Sequence, residues 1–216
     1  MVCNRAVPPM TEPPWSPADL DAMRPRAKAH LRKRMRQLRG SLPPDARRRR
    51  SEAITTAVAA LDAWRDARGV ALYASLDDEF DTAALVADAR ARGVDVALPV
   101  VDGDAGLVFR WIVRDGSVFA TQRSAWGLDE PTADAPLADL DAVGLVLVPA
   151  LAVDPRGYRI GYGRAYYDRA LPLFPNARRV AAVFAFQVIA EVPNEAHDQR
   201  VDTIVTDEHT YTTETP

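Results

Sequence analysis

This 216-residue chain holds one cysteine and three histidines, and each scarcity excludes a class of chemistry. Cys3 alone cannot close an intrachain disulfide, so the core must hold the fold, and a reducing compartment is expected. His30, His197 and His209 show no metal-ligand spacing, which excludes a zinc site built in the usual way. Long hydrophobic runs are missing too. The longest apolar stretch, Ala142 to Val153, is interrupted by Pro149 and is too short to cross a bilayer. The opening segment carries Pro8, Pro9, Pro13, Pro14 and Pro17 and lacks the continuous apolar region of a secretory signal. A cytoplasmic protein with no membrane partner is expected. Residues 1–25 are read as a flexible extension, 26–208 as one α/β domain and 209–216 as a flexible tail.

What is present is ordinary in amount and uneven in place. At 48% hydrophobic and 26% charged, the chain has the composition of a globular protein. A domain of this length buries roughly 70% of its unfolded surface without help from metal or disulfide. Between Arg24 and Arg50 there are twelve basic residues and a single acid, Asp45, in a chain whose net charge is −3. Solvated helix faces account for most of these arginines, and a polyanion-binding surface is the second reading.

Hydrophobic spacing orders the elements. Ser16, Pro17 and Asp19 read as a helix start that Pro25 ends or kinks. From Arg26, the apolar positions Ala27, Leu31, Met35 and Leu38 define an amphipathic helix stopped by Gly40, and a second helix runs through Ala53, Ala57 and Trp64. Val70 to Ala74, an acidic loop, a helix over Thr82 to Arg92 and a strand over Val94 to Pro99 make a βαβ unit. Leu107 to Val113 and Ser117 to Ala120 pair around Asp115-Gly116. Thr121 to Asp139 is a long connection. Val143 to Pro149 and Arg179 to Phe186 are buried strands, Tyr166 to Leu173 is helical, and Ile204 to Thr206 is a short last strand.

The richest stretch lies between Pro149 and Asp168. Gly157, Gly161 and Gly163 fall between a strand and a helix start, where unobstructed amides can surround phosphate oxygens, and Arg159 and Arg164 add charge. It is neither a Walker A loop nor a dinucleotide fingerprint, and an ordinary glycine-rich turn explains the spacing equally well. Asp168 reads either as a Mg²⁺ carboxylate beside that loop or as an acid answering a helix dipole.

Four separated segments, taken in order, carry a resemblance: Lys28-Ala-His-Leu-Arg32, Ser75-Leu-Asp-Asp-Glu79-Phe-Asp-Thr82, Ser124-Ala-Trp126-Gly-Leu-Asp-Glu-Pro131, and Pro149 to Asp168. Together they resemble the 5-formyltetrahydrofolate cyclo-ligase family, also called methenyltetrahydrofolate synthetases, over residues 26–208. The resemblance implies a three-layer α/β/α sandwich with a mostly parallel central sheet, of the NagB/RpiA/CoA-transferase type. It also implies ATP- and Mg²⁺-dependent closure of 5-formyltetrahydrofolate to 5,10-methenyltetrahydrofolate, releasing ADP and phosphate. ATP would be held by Lys28, Arg32, Arg159, Gly161, Tyr162, Gly163, Arg164, Ala165, Tyr166 and Tyr167, with Lys28 and Arg159 also catalytic. Mg²⁺ would sit on Asp168 and Asp198, and the folate on Ala74, Glu79 and Trp126. A monomer acting on a small molecule, with no nucleic-acid partner, is implied.

The chain departs from the family pattern at three places, with Ala150 and Ala165 where Gly is usual and Val153 where Phe is usual. If the backbone at 165 requires positive φ, alanine is strained there. These departures leave a second reading, a catalytically weak paralogue that binds nucleotide, folate or RNA.

Overall fold

The structure, a computed structural model, describes residues 16–103, 106–125 and 127–213. Its first element is one helix, α1 (Pro17–Gly40). Ser16 Oγ accepts from the Asp19 amide at 3.2 Å and Asp19 accepts from the Ser16 amide at 2.9 Å, a reciprocal cap. The helix continues through Pro25 rather than ending there, so residues 17–25 of the expected extension are helical. An interior proline costs about 3 kcal/mol; here the Ser16–Asp19 cap precedes it and the Lys28 ion pairs follow it.

Two helices follow, α2 (Pro44–Ala59) and α3 (Asp62–Asp66), and then the sheet begins. Strand β1 (Gly69–Ala71), helix α4 (Ala83–Ala91) and strand β2 (Asp95–Asp102) form the expected βαβ unit, with β1 and β2 parallel and Val70 opposite Val96. Strands β3 (Gly106–Arg114) and β4 (Ser117–Val118) add antiparallel at that edge, turning on Asp115 and Gly116, both at positive φ. The long connection holds a separate hairpin, β5 (Thr121–Arg123) with β6 (Asp129–Pro131). Strand β7 (Leu145–Leu147) returns to pair parallel with β1. An unforeseen hairpin then follows, β8 (Ala152–Val153) with β9 (Arg159–Ile160). After the short helix α5 (Tyr166–Ala170), strands β10 (Arg178–Ala182) and β11 (Thr203–Val205) extend the parallel sheet beyond β7. Strand β10 is shorter than expected, because residues 185–187 turn into a 3₁₀ helix. Strand β12 (Thr210–Thr212) pairs antiparallel with β11, which places part of the expected tail in the sheet.

The eight-stranded order is β12-β11-β10-β7-β1-β2-β3-β4. Alternation along the strands loads both faces. Leu145 and Leu147 pack with Ile54, Val58, Trp64 and Leu85 of α2, α3 and α4, whereas Val146 packs on the other side with Ala170 and Phe174 of the α5 segment. This is the three-layer α/β/α sandwich. Helix α1 stands against the β8–β9 hairpin through Met35, Leu31, Leu151 and Ile160.

The buried stripe of α1 differs from the expected one. Leu38 is 43% exposed, while Lys28, Met35 and Arg39 are buried, and Arg32 lies with them at the helical spacing 28-32-35-39. Cations occupy the inner face because carboxylates face Lys28 and Arg39 and a backbone carbonyl faces Arg32. No helix among the described residues is long and apolar enough to cross a membrane.

Candidate active site

The chain leaves β1 toward β2 on one side, and leaves β7 toward β10 on the other. The carboxyl ends of β1 and β7 therefore flank the point where the winding of the sheet reverses, the place where open α/β sheets bind ligands. A cavity of about 690 Å³ opens there, with Tyr73 and Ala74 entering from the end of β1 and Pro149 from the end of β7. Of the site residues expected from sequence, every one except Trp126 lines this cavity. Trp126 lies outside the described residues.

Charged groups reach the cavity from outside the sheet, Lys28 and Arg159 paired with acids and Arg32 with a backbone carbonyl. Lys28 Nζ donates to Glu195 at 2.6 Å and to Asp198 at 2.7 Å. The hydrogen bond from Lys28 holds the Glu195 carboxyl below the usual glutamate range. Arg32 donates from Nε to the Gly161 carbonyl at 2.9 Å, tying α1 to the glycine loop. The same loop packs against Arg32 at Gly163, where φ is +97° and an added Cβ would come within 3.3 Å of the guanidinium carbon.

Arg159 donates to Asp168 Oδ1 at 2.9 Å and to the Gln199 carbonyl at 2.8 Å, and Asp168 Oδ1 also accepts from the Gln199 amide. Arg159 Nε and the Tyr167 hydroxyl are buried at the cavity wall, and among the described residues neither has a hydrogen-bond partner. Unsatisfied buried donors are costly, so a pair of them beside a cavity marks where an oxygen-rich ligand would be met. Burial, reinforced by the Glu79 charge, raises the Tyr167 phenol above its ordinary value and keeps it a donor.

Glu79, buried at 6% exposure, is held from three sides. Its Oε1 accepts from the Tyr162 hydroxyl at 2.7 Å and from Arg39 at 3.2 Å, and its Oε2 accepts from the Leu76 amide at 3.0 Å. Sequence reasoning passed over Arg39, Glu195 and Gln199. Arg39 had a signal in its 28-32-35-39 spacing, whereas Glu195 and Gln199 sit in an irregular segment without one.

A model of the 5-formyltetrahydrofolate cyclo-ligase family matches residues 24–207. The chain belongs to that family. Among cyclo-ligase relatives, the enzyme of Mycolicibacterium smegmatis is 33% identical over 190 residues, covering 85% of this chain and 95% of the relative. The 5-formyltetrahydrofolate cyclo-ligase of Mus musculus is 24% identical over 188 residues, covering 83% of this chain and 93% of its own. The solved 5,10-methenyltetrahydrofolate synthetase of Aquifex aeolicus superposes with a TM-score of 0.77 at 29% identity, covering 88% of this chain and 94% of that one.

The departures from the family pattern separate into two kinds. Ala165 sits at φ 51° and ψ 24°, left-handed, at the start of α5, so the strained alternative applies. Ala150 is not among the positive-φ residues, and Val153 is fully buried; both pack in the core against residues such as Val148 and Val183. Neither has a positive φ.

The donor set suits a hard divalent cation. Asp168 and Asp198 line the cavity, and Glu195, His197 and Asp198 bring ligand atoms within 4.8 Å of one another. Carboxylate oxygens are the ligands Mg²⁺ prefers.

Proposed function

We propose that this chain uses ATP and Mg²⁺ to close 5-formyltetrahydrofolate into 5,10-methenyltetrahydrofolate, releasing ADP and phosphate. The observation carrying the proposal is the convergence of Lys28, Arg32, Arg159, Asp168 and Glu79 on one cavity at the β1/β7 crevice. The formyl oxygen is a poor leaving group. Its attack on the γ-phosphorus expels ADP and leaves that oxygen phosphorylated; folate N10 then adds to the formyl carbon, and phosphate departs with the oxygen while N10 gives up its proton. No covalent enzyme nucleophile is needed.

The residues align the reactants and spread charge over the phosphoryl group. Lys28, Arg32 and Arg159 face the phosphates, with Arg159 Nε and the Tyr167 hydroxyl supplying donors whose partners come from the ligand. Asp168 and Asp198 would hold Mg²⁺, with Glu195 and His197 beside Asp198. When bound, Mg²⁺ neutralises phosphate charge. Glu79, fixed by Arg39 and Tyr162, presents its carboxylate to the folate alongside Ala74. We further read the chain as a cytoplasmic monomer with a small-molecule substrate.

The test is absorbance of the methenyl product near neutral pH, with 5-formyltetrahydrofolate and Mg²⁺, in the presence and absence of ATP. Product that forms only with ATP is expected. Folded protein that makes none would return the chain to a binding role.

A further inference from the structure

Arg39 is the most deeply buried cation among the described residues, 2% exposed, and it lies behind the cavity wall rather than on it. Its guanidinium joins three side chains from two segments distant in sequence. Nε and one terminal nitrogen clasp Asp78 at 3.0 and 2.8 Å, the other terminal nitrogen reaches Glu79 Oε1 at 3.2 Å, and the Tyr162 hydroxyl accepts at 2.5 Å. That hydroxyl in turn donates to the same Glu79 oxygen at 2.7 Å. Burial alone would make the guanidinium easier to deprotonate, but the Glu79 charge and the Asp78 bonds outweigh it and hold the cation. Glu79 and Tyr162 both line the cavity; Asp78 and Arg39 do not.

We propose that Arg39 is a positioning residue that fixes the Glu79 carboxylate and the Tyr162 side chain against each other, so that the acidic loop and the glycine loop present one rigid wall to the folate. The proposal rests on the reading of Glu79 as a folate contact. The geometry favours arginine in this role over any other cation. Only a planar fork can clasp Asp78 with two bonds while a third and fourth bond reach Glu79 and Tyr162. An ammonium at the end of a lysine side chain can satisfy the charge without fixing the plane of Glu79. The four bonds also explain how an acid so buried stays in one orientation, since its Oε1 takes two donors from this network and its Oε2 takes the Leu76 amide.

The experiment measures initial rates of methenyl formation for the native chain, Arg39→Lys, Glu79→Gln and the double variant, varying 5-formyltetrahydrofolate at saturating Mg-ATP and then the reverse. Arg39→Lys is expected to raise the KM for 5-formyltetrahydrofolate by about tenfold, the scale of one charge-assisted hydrogen bond, with a smaller change in the KM for ATP. In the Glu79→Gln background the same lysine substitution should add less than about twofold, because the group it orients is already altered. A purely structural role lowers the folded fraction, which reduces kcat and leaves KM in place. Tyr162→Phe removes one member of the network without leaving a buried charge unpaired, and should give a smaller rise in the same KM. An unchanged KM in both Arg39→Lys and Tyr162→Phe would overturn the proposal, as would an equal Arg39→Lys effect in the native and Glu79→Gln backgrounds. If Glu79→Gln alone leaves the folate KM untouched, the folate reading of Glu79 fails and the proposal with it; a large Glu79→Gln effect with additive Arg39→Lys overturns the positioning role alone.

Discussion

Replacing Ala165 by glycine tests the glycine loop at its most strained point. Ala165 stands at φ 51° and ψ 24°, one of two non-glycine residues with positive φ among the described residues. A left-handed backbone costs an L-residue with a Cβ roughly 1–2 kcal/mol. Glycine removes that cost but enters the folded state from a freer unfolded chain, which takes back roughly 0.5–1 kcal/mol. The net expectation is a gain of about 0.5–1 kcal/mol, or a rise in Tm of about 2 °C for a domain of this size. Backbone geometry is retained, because the Ala165 carbonyl still accepts from Arg169 at 3.2 Å and α5 still begins at Tyr166. The assay is paired: reversible urea or thermal unfolding for stability, and methenyl formation for the loop. Activity should be equal or modestly higher. A lower Tm, or a large loss of activity, would refute the reasoning, since either would mean that the alanine side chain contributes something a left-handed glycine cannot.

Three further outcomes follow from other positions. Gly157→Ala should destabilise by more than about 2 kcal/mol, because φ is +90° and the new Cβ would lie 2.4 Å from the Val201 carbonyl oxygen; a urea midpoint within error of the native one would count against it. The Lys28 hydrogen bond lowers the Glu195 pKa, so the pair adds stability above the ordinary glutamate range and loses it as pH falls through the lowered value. Lys28→Met should therefore flatten the acid limb of stability between about pH 3 and 5, which urea midpoints across that interval would check. Burial, aided by Glu79, raises the phenols of Tyr73, Tyr162 and Tyr167. Above the ordinary tyrosine value the native chain then holds protons that the unfolded chain has lost, so stability declines as pH rises. Phenolate absorbance should report these three rings only on unfolding, and their ionisation in the native protein would contradict that.

The sheet was legible because buried strands leave a plain mark: Val143 to Pro149 and the βαβ unit need only apolar runs of the right length. The ends were less legible. Residues 203–205 and 210–212 pair antiparallel, yet Thr210-Tyr211-Thr212 is exposed and carries no burial pattern to read. Helix α1 is legible in its existence but not in its buried face. The stripe Ala27-Leu31-Met35-Leu38 is the apolar one, and hydrophobic spacing has no way to weigh a stripe whose burial depends on acids from residues 78–79 and 195–198. Pairing across such sequence distance is invisible to a local pattern. The cavity residues were legible only through the ordered motifs of the family, with the glycine spacing alone undecided between a phosphate loop and a turn.

The charge pattern of α1 has a physical explanation that stability does not supply. A buried ion pair must recover the desolvation of both partners, and replacing it by apolar groups of similar volume is often neutral or favourable. This chain nevertheless gathers three such pairings around one cavity: Lys28 with Glu195 and Asp198, Arg39 with Asp78 and Glu79, and Arg159 with Asp168. For Lys28 and Arg39 the cation and its acids come from distant segments, and Arg159 and Asp168 come from neighbouring elements, so the main sheet contributes neutral walls while the charged groups are assembled by the loops, the β8–β9 hairpin and α1. Under the proposed function, Lys28 and Arg159 would exchange carboxylate partners for phosphate oxygens as the carboxylates take up Mg²⁺. Such an exchange keeps the count of opposite-charge contacts nearly constant, so the ligand meets groups that are already desolvated and oriented. Arg39 has no place in that exchange. It lies behind the wall with Asp78 and holds Glu79 and Tyr162 from there, so under the proposal it stays paired in both states, which is what a fixed reference for Glu79 requires.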